Sequence, residues 1–211
     1  MGPHLKEREK KMLSNRLMKH FGAAAAAATV VGGASAAVVQ SSVANVLIPV
    51  NTQGIYVNIV AGTTGTSSSL AGWDINPWNA SNLSFFNPNA PTGGVYVRTS
   101  TTVAGVSNLA VGTVVGASSL YASGAAQSTG SNPFILNSSN NFVGFRFVNE
   151  ANGNAIHYGY MQIELGASQI DPVRKIVGIW YEDVAGAAIT VPAPGAFALL
   201  GLAGLAGRRR R

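Results

Sequence analysis

The chain has 211 residues, a formal net charge of +6, no cysteine, and 10% charged against 47% hydrophobic residues. That balance is too apolar and too weakly charged for a disordered chain, and the missing cysteines exclude a disulfide framework or a thiolate metal site. The positive charge would suit a nucleic-acid or membrane-surface binder if it were spread along the chain, but it is concentrated at the two ends.

At the first end, Lys6, Arg8, Lys10, Lys11, Arg16 and Lys19 stand against Glu7 and Glu9, and FGAAAAAATVVGGASAA follows. A basic stretch, an apolar core and a small-residue A-x-A site are the parts of a secretory signal peptide. Ala34 and Ala36 satisfy the cleavage rule, so residues 1–36 are expected to be a leader with a signal helix and the mature chain to begin at Ala37. Met12 or Met18 would serve equally as a start. Gly22, Gly32 and Gly33 each lower helix propensity by about 1 kcal/mol, which argues against an alanine-rich soluble helix. There is no twin-arginine pair, so the Sec export machinery is the expected first partner.

Between Ala37 and Val191 stand four cations (Arg98, Arg146, Arg174, Lys175) and six anions (Asp74, Glu150, Glu164, Asp171, Glu182, Asp183), a formal charge of −2. With no basic cluster there is no footprint for phosphate, and no nucleic acid is expected as a partner. Residues 37–190 are one domain of common size, large enough to bury a core.

Period-two patterning predicts strands along this domain. In 54–61 (GIYVNIVA), Ile55, Val57 and Ile59 alternate with Tyr56 and Asn58. The pattern recurs in 95–99 (VYVRT) and in 141–148 (NFVGFRFV), where Val143, Phe145 and Phe147 share one face and Phe142, Arg146 and Val148 the other. Strands are also predicted at 157–165, 175–181 and 188–191. The polar stretches 63–70 and 124–132 are expected to be mobile loops. The Asn-rich segments 137–141 and 149–154 are expected to turn through left-handed backbone. Gly interrupts every window of helical spacing. The predicted class is all-β, a β-sandwich of jelly-roll type flanked by the signal helix and a short C-terminal hydrophobic helix, with a barrel as the competitor.

Few residues offer chemistry. A zinc site needs three or four ligands, yet His157 is the domain's single histidine, and it is expected to stack and hydrogen bond in a Tyr-rich strand. No G-x-S-x-G elbow is present, and Glu150 with Glu164 is the pair a glycosidase would need. No catalytic residue and no cofactor is expected. Asp74, Asn76, Asn79, Glu182 and Asp183 near predicted strand ends offer oxygen ligands for calcium, with solvated turns as the simpler alternative. Trp180, among Ile176, Val177 and Ile179, is expected in the core. Trp73 and Trp78 flank Asp74 and Asn76 in GWDINPWN, an expected loop that would offer sugar rings a stacking surface and hydrogen bonds.

The chain ends in VPAPGAFALLGLAGLAGRRRR, residues 191–211. The apolar run 196–207 has twelve residues, about 18 Å as helix, against a bilayer core of about 30 Å. It suits transient insertion better than a lasting anchor, and the terminal arginines would stay on the cytoplasmic side. Motif, helix and arginine cluster in that order resemble the PEP-CTERM sorting signal of exported bacterial proteins. Pro192, Pro194 and Gly195 match its motif, and Arg208, Arg209, Arg210 and Arg211 its cluster; Ala193 stands where the family usually has Glu. The resemblance implies recognition by exosortase, a membrane processing enzyme.

A second resemblance covers residues 144–189. GFRF (144–147), HYGYMQIEL (157–165), KIVGIWYED (175–183) and AGAAI (185–189) are similar to a β-sandwich module common in such proteins, with Tyr160 where Trp is usual and Ala185 where Pro is usual. Together these resemblances imply an exported protein of the cell surface or extracellular matrix, without catalysis, reached through an inner-membrane precursor. A carbohydrate-binding module for exopolysaccharide is the alternative, and a matrix glycan hydrolase ranks third.

Overall fold

A computed structural model describes residues 36–102 and 105–193. The chain divides into units Met1–Ser35 and Ala36–Arg211, and every described residue belongs to the second. Ala34, Pro194, Gly195, the apolar run and Arg208 to Arg211 lie outside the described residues, as do both expected helices.

The described residues form an all-β domain of antiparallel sheets, with one 3-10 turn at Glu150–Asn152. Its strands are β1 (Val38–Gln40), β2 (Val46–Leu47), β3 (Tyr56–Asn58), β4 (Thr63–Gly65), β5 (Asn76–Trp78), β6 (Ser84–Phe86), β7 (Tyr96–Arg98), β8 (Val114–Val115), β9 (Leu120–Ala122), β10 (Gly124–Ala125), β11 (Ser138–Asn149), β12 (Ala155–Leu165), β13 (Lys175–Glu182) and β14 (Ile189–Thr190). The main sheet runs β1-β13-β12-β11-β7-β9, with β2 also on β13. Smaller sheets pair β10-β6-β5, β14-β8 and β3-β4.

The centre of the main sheet is the meander β11–β12–β13. Its long strands follow directly from the Val, Ile, Phe and Tyr content of their sequences. Both faces are buried. Val143, Phe145, Phe147, Met161, Ile163, Ile176 and Ile179 form one core with Val57 and Phe85 of the smaller sheets and with Ile59, Ile75 and Leu83 beside their strands. On the opposite face Phe142, Tyr158, Tyr160 and Trp180 pack with Val97, Leu109, Val115, Ile189 and Val191. The alternation expected in β11 is therefore correct, but it separates two cores instead of core from water. Trp180 is in the core as expected, 8% exposed and stacked on Tyr160 at 5.3 Å between ring centroids.

Two glycines allow the layers to close. Gly159 faces Phe145 across the β11–β12 ladder, and a Cβ there would lie 2.6 Å from the Trp180 carbonyl oxygen. Gly144 would place a Cβ 2.7 Å from both Leu109 and Val115, so its bare backbone lets the second cover approach the sheet. The turn from β11 to β12 passes through Gly153 at φ 63° and Asn154 at φ 62°, and Asn137 at φ 51° opens β11. Those are the left-handed positions expected of the Asn-rich segments.

The expected mobile loops are partly ordered: Thr63–Gly65 pairs with β3 and Gly124–Ala125 pairs with β6. The short strands β3, β7 and β14 fall inside the predicted segments 54–61, 95–99 and 188–191, whereas the other strands of two or three residues have no periodicity to read and are made extended by their ladder partners.

Arg174 ties the layers together. It is fully buried, and its five N–H groups all donate to main-chain carbonyls: Nε to Ile48, Nη1 to Asn82 and Gln169, Nη2 to Pro49 and Asn79, at 2.6–3.1 Å. Burial pushes its pKa down.

Candidate functional site

The segment 73–78 is a strand end and not a free loop: Asn76–Trp78 is β5, paired with β6. In an extended chain successive side chains alternate sides, so Trp73 and its neighbours are sent in different directions. Asp74 and Asn76 turn inward and are 4% and 2% exposed. Asp74 Oδ2 accepts the Ile59 N–H at 2.7 Å. Asn76 Nδ2 donates to the carbonyls of Gln53 and Ile55, both at 2.9 Å. Neither side chain presents the surface hydrogen bonds expected of it.

Trp73 is half-buried and makes an aromatic cluster with other partners than expected. It packs edge-on against Tyr56 at 4.9 Å and lies nearly parallel to Phe86, 20° between planes and 6.0 Å between centroids. Phe86 is 50% exposed. Trp78, also half-buried, makes no ring contact with Trp73 among the described residues.

Tyr96 holds Phe86 in place. The Tyr96 hydroxyl accepts the Asn76 N–H at 2.9 Å and donates to the Phe86 carbonyl at 2.8 Å, joining β7 of the main sheet to β5 and β6. Burial pushes the phenol pKa upward. Beside Trp73 in the chain, a Cβ at Gly72 would stand 2.7 Å from Asn58 Nδ2 and 3.4 Å from Glu150 Oε1; the Asn58 amide itself bonds the Ala71 carbonyl and the Ala61 N–H, at 3.1 and 2.9 Å. Burial raises the Asp74 pKa from 3.8 to about 7, against the opposing Ile59 N–H and with further help from the Glu150 charge.

The other expected positions fall elsewhere. The five oxygen donors considered for calcium are divided: Asn79 bonds Asn82 and Ser84 at 2.8 and 3.1 Å, while Glu182 and Asp183 stand at the end of β13. No cluster of three or more metal-ligating side chains occurs among the described residues. His157 is buried, 5.7 Å from the Phe147 ring, with Nδ1 2.8 Å from the Glu182 carbonyl and Nε2 3.0 Å from Asn152 Nδ2. An amide donating to Nε2 leaves the Nδ1–H to donate to the carbonyl, so both ring nitrogens are used as expected, while the ring is tilted at 34° to Phe147 and not stacked on it. Glu150 precedes β12 whereas Glu164 lies near its far end and pairs with Lys175 at 3.0 Å. At about 3.3 Å per strand residue, that puts them about 30 Å apart, far beyond a glycosidase pair.

A concavity of about 410 Å³ is lined by Leu109, Val111, Pro133, Ile135 and Phe142 with Asn108. The Asn108 side chain is committed to the Phe142 N–H, at 2.9 Å.

Of the positions expected to form a sorting motif, Pro192 is half-buried and Ala193 exposed. Among the described residues no helix is long and apolar enough to cross a membrane. Comparison with protein-family models, with curated proteins and with solved structures gives no match to this chain.

Proposed function

We propose that the chain is an exported, non-catalytic protein of the bacterial cell surface or extracellular matrix, a jelly-roll-like β-sandwich sorted by its PEP-CTERM-like tail. The observation that carries this reading is where the domain's own bonds begin and end. Among the described residues the first is made by Ala37, whose N–H donates to Asp183. The last of them are made by Val191, buried at 1% exposure, which donates to the Thr113 carbonyl and accepts from the Gly112 N–H. The described core reaches from Val43 to Val191, between the expected leader and the expected sorting tail. Mass spectrometry of protein recovered from cell-surface and medium fractions tests this. A C-terminus near Pro194 is expected, and an intact Arg211 in every fraction would show that sorting does not remove the tail.

The Tyr56–Trp73–Phe86 cluster favours a second role in the same place, binding of exopolysaccharide. Aromatic faces stack on sugar rings, and the Glu150 carboxylate near Gly72 suits hydroxyls. Aromatic contacts of this kind contribute about 0.5–1.5 kcal/mol each. Trp73→Ala and Phe86→Ala are therefore each expected to lower retention on a glycan array about fivefold, with Trp78→Ala near wild type. Unchanged retention in both of the first two variants would remove the site.

A further inference from the structure

Ala37 enters the main sheet through a carboxylate. Its nitrogen donates to Asp183 Oδ1 at 2.9 Å, and the Asp183 N–H returns a bond to the Ala37 carbonyl at 3.1 Å. The β1 strand thus starts on a two-bond ring at the end of β13. Adjacent Glu182 is 4% exposed, and its Oε1 is buried without a hydrogen-bond partner. At the Ala37 nitrogen the exposed Asp183 carboxylate meets a single uncharged amide N–H. Burial, and then the bond with Asp183, push the Glu182 pKa up.

We propose that Asp183 is the seat of an α-ammonium group released by cutting between Ala36 and Ala37, and that the resulting ion pair fastens β1 to β13. The inference rests on the export reading above. In the cut, water adds across the Ala36–Ala37 peptide bond: Ala36 leaves as a carboxylate, and the Ala37 nitrogen keeps the proton balance as an ammonium. One neutral N–H becomes three N–H donors bearing a unit charge, at the atom already 2.9 Å from Asp183 Oδ1. Ala36 itself is exposed.

The titratable groups around that nitrogen are Asp183 and Glu182 at the end of β13, Tyr181 across from β1, and His157 and Tyr158 of β12 on the far side of β13. A carboxylate at hydrogen-bond distance favours the charged amine, so Asp183 is expected to hold the α-amino pKa above its ordinary range of about 7.7–8.0. A group whose folded pKa is raised contributes stability that is complete below its unfolded value and is lost as pH rises through the folded one. The ion pair therefore weakens above about pH 8.

The test expresses the full chain in an exporting bacterial host, sequences the N-terminus of the product, and follows its ¹³C-methylated α-amine by NMR titration. The product is expected to begin at Ala37, with a midpoint about one pH unit higher than in Asp183→Asn. Equal midpoints in correctly cut wild type and variant would overturn the role of Asp183 and leave export standing. A product beginning at any other residue overturns the inference as a whole, and a leader retained on unexported protein overturns the export reading itself.

Discussion

Arg174→Met is expected to lower the unfolding free energy by about 5 kcal/mol, enough to leave the domain largely unfolded at 37 °C if its total is near the low end of the usual 5–15 kcal/mol. Methionine fills similar volume without an N–H group, so the carbonyls of Ile48, Pro49, Asn79, Asn82 and Gln169 lose their donor inside the protein. Each buried group left unpaired costs about 1–3 kcal/mol, with partial relaxation keeping the sum below the simple total. Those carbonyls come from three separate stretches of chain, and without the guanidinium nothing of comparable reach replaces the clamp. Arg174→Lys keeps the charge but has three donors on one atom in place of a planar fork, and is expected to recover only part of the loss. Next door, Lys175→Met removes a surface ion pair with Glu164 that is about a third exposed on each side, and should cost under about 1 kcal/mol. Urea unfolding of the three variants decides it: Arg174→Met within about 1 kcal/mol of wild type would contradict the clamp.

Asp74→Asn is expected to stabilise the domain at pH 8 and to leave it unchanged near pH 4. The folded carboxyl titrates at about 7 because it is buried, whereas the unfolded one titrates near 3.9. Between these values the native state holds the extra proton, so stability falls as pH rises and is lowest above pH 7. A shift of about three units corresponds to at most about 4 kcal/mol, and about 2 kcal/mol is the expected gain. Asparagine keeps an acceptor for the Ile59 N–H and cannot ionise. Glu182 titrates in the same direction for the same first reason, so the difference between wild-type and variant curves, measured by thermal unfolding from pH 4 to 8, isolates Asp74. Parallel curves would mean that the buried carboxylate is not the cause of the slope.

Both residues show how far the sequence could be read. Asp74 stood in GWDINPWN with the composition of a polar loop, and only the bridge between Val57 and Ile75 turns it inward onto Ile59. Trp73 was legible as an aromatic of interest, but its stacking partner was not: Phe86 lies in a different strand, brought there by the β5–β6 ladder and by Tyr96. The adjacent aromatics of SFFN were the one available signal, since strand alternation sends one inward and one outward. Phe85 is 1% exposed and Phe86 50%. Arg174 gave no signal, because a single arginine before a strand is ordinarily solvated.

What the sequence by itself determined is local. The long strands β11, β12 and β13 were readable from β-branched and aromatic runs, as were the left-handed asparagine turns at 137 and 154 and the all-β class. Those features depend on neighbours within a few residues. The tertiary structure decided what depends on distant partners: that both faces of the main sheet are buried, that short strands outside the patterned segments, such as β4 and β10, form at all, which aromatic rings meet, and that Arg174 spans to carbonyls as far as 126 residues away. Main-chain carbonyls occur at every residue and carry no side-chain signature, so only the folded geometry selects which five converge on one guanidinium.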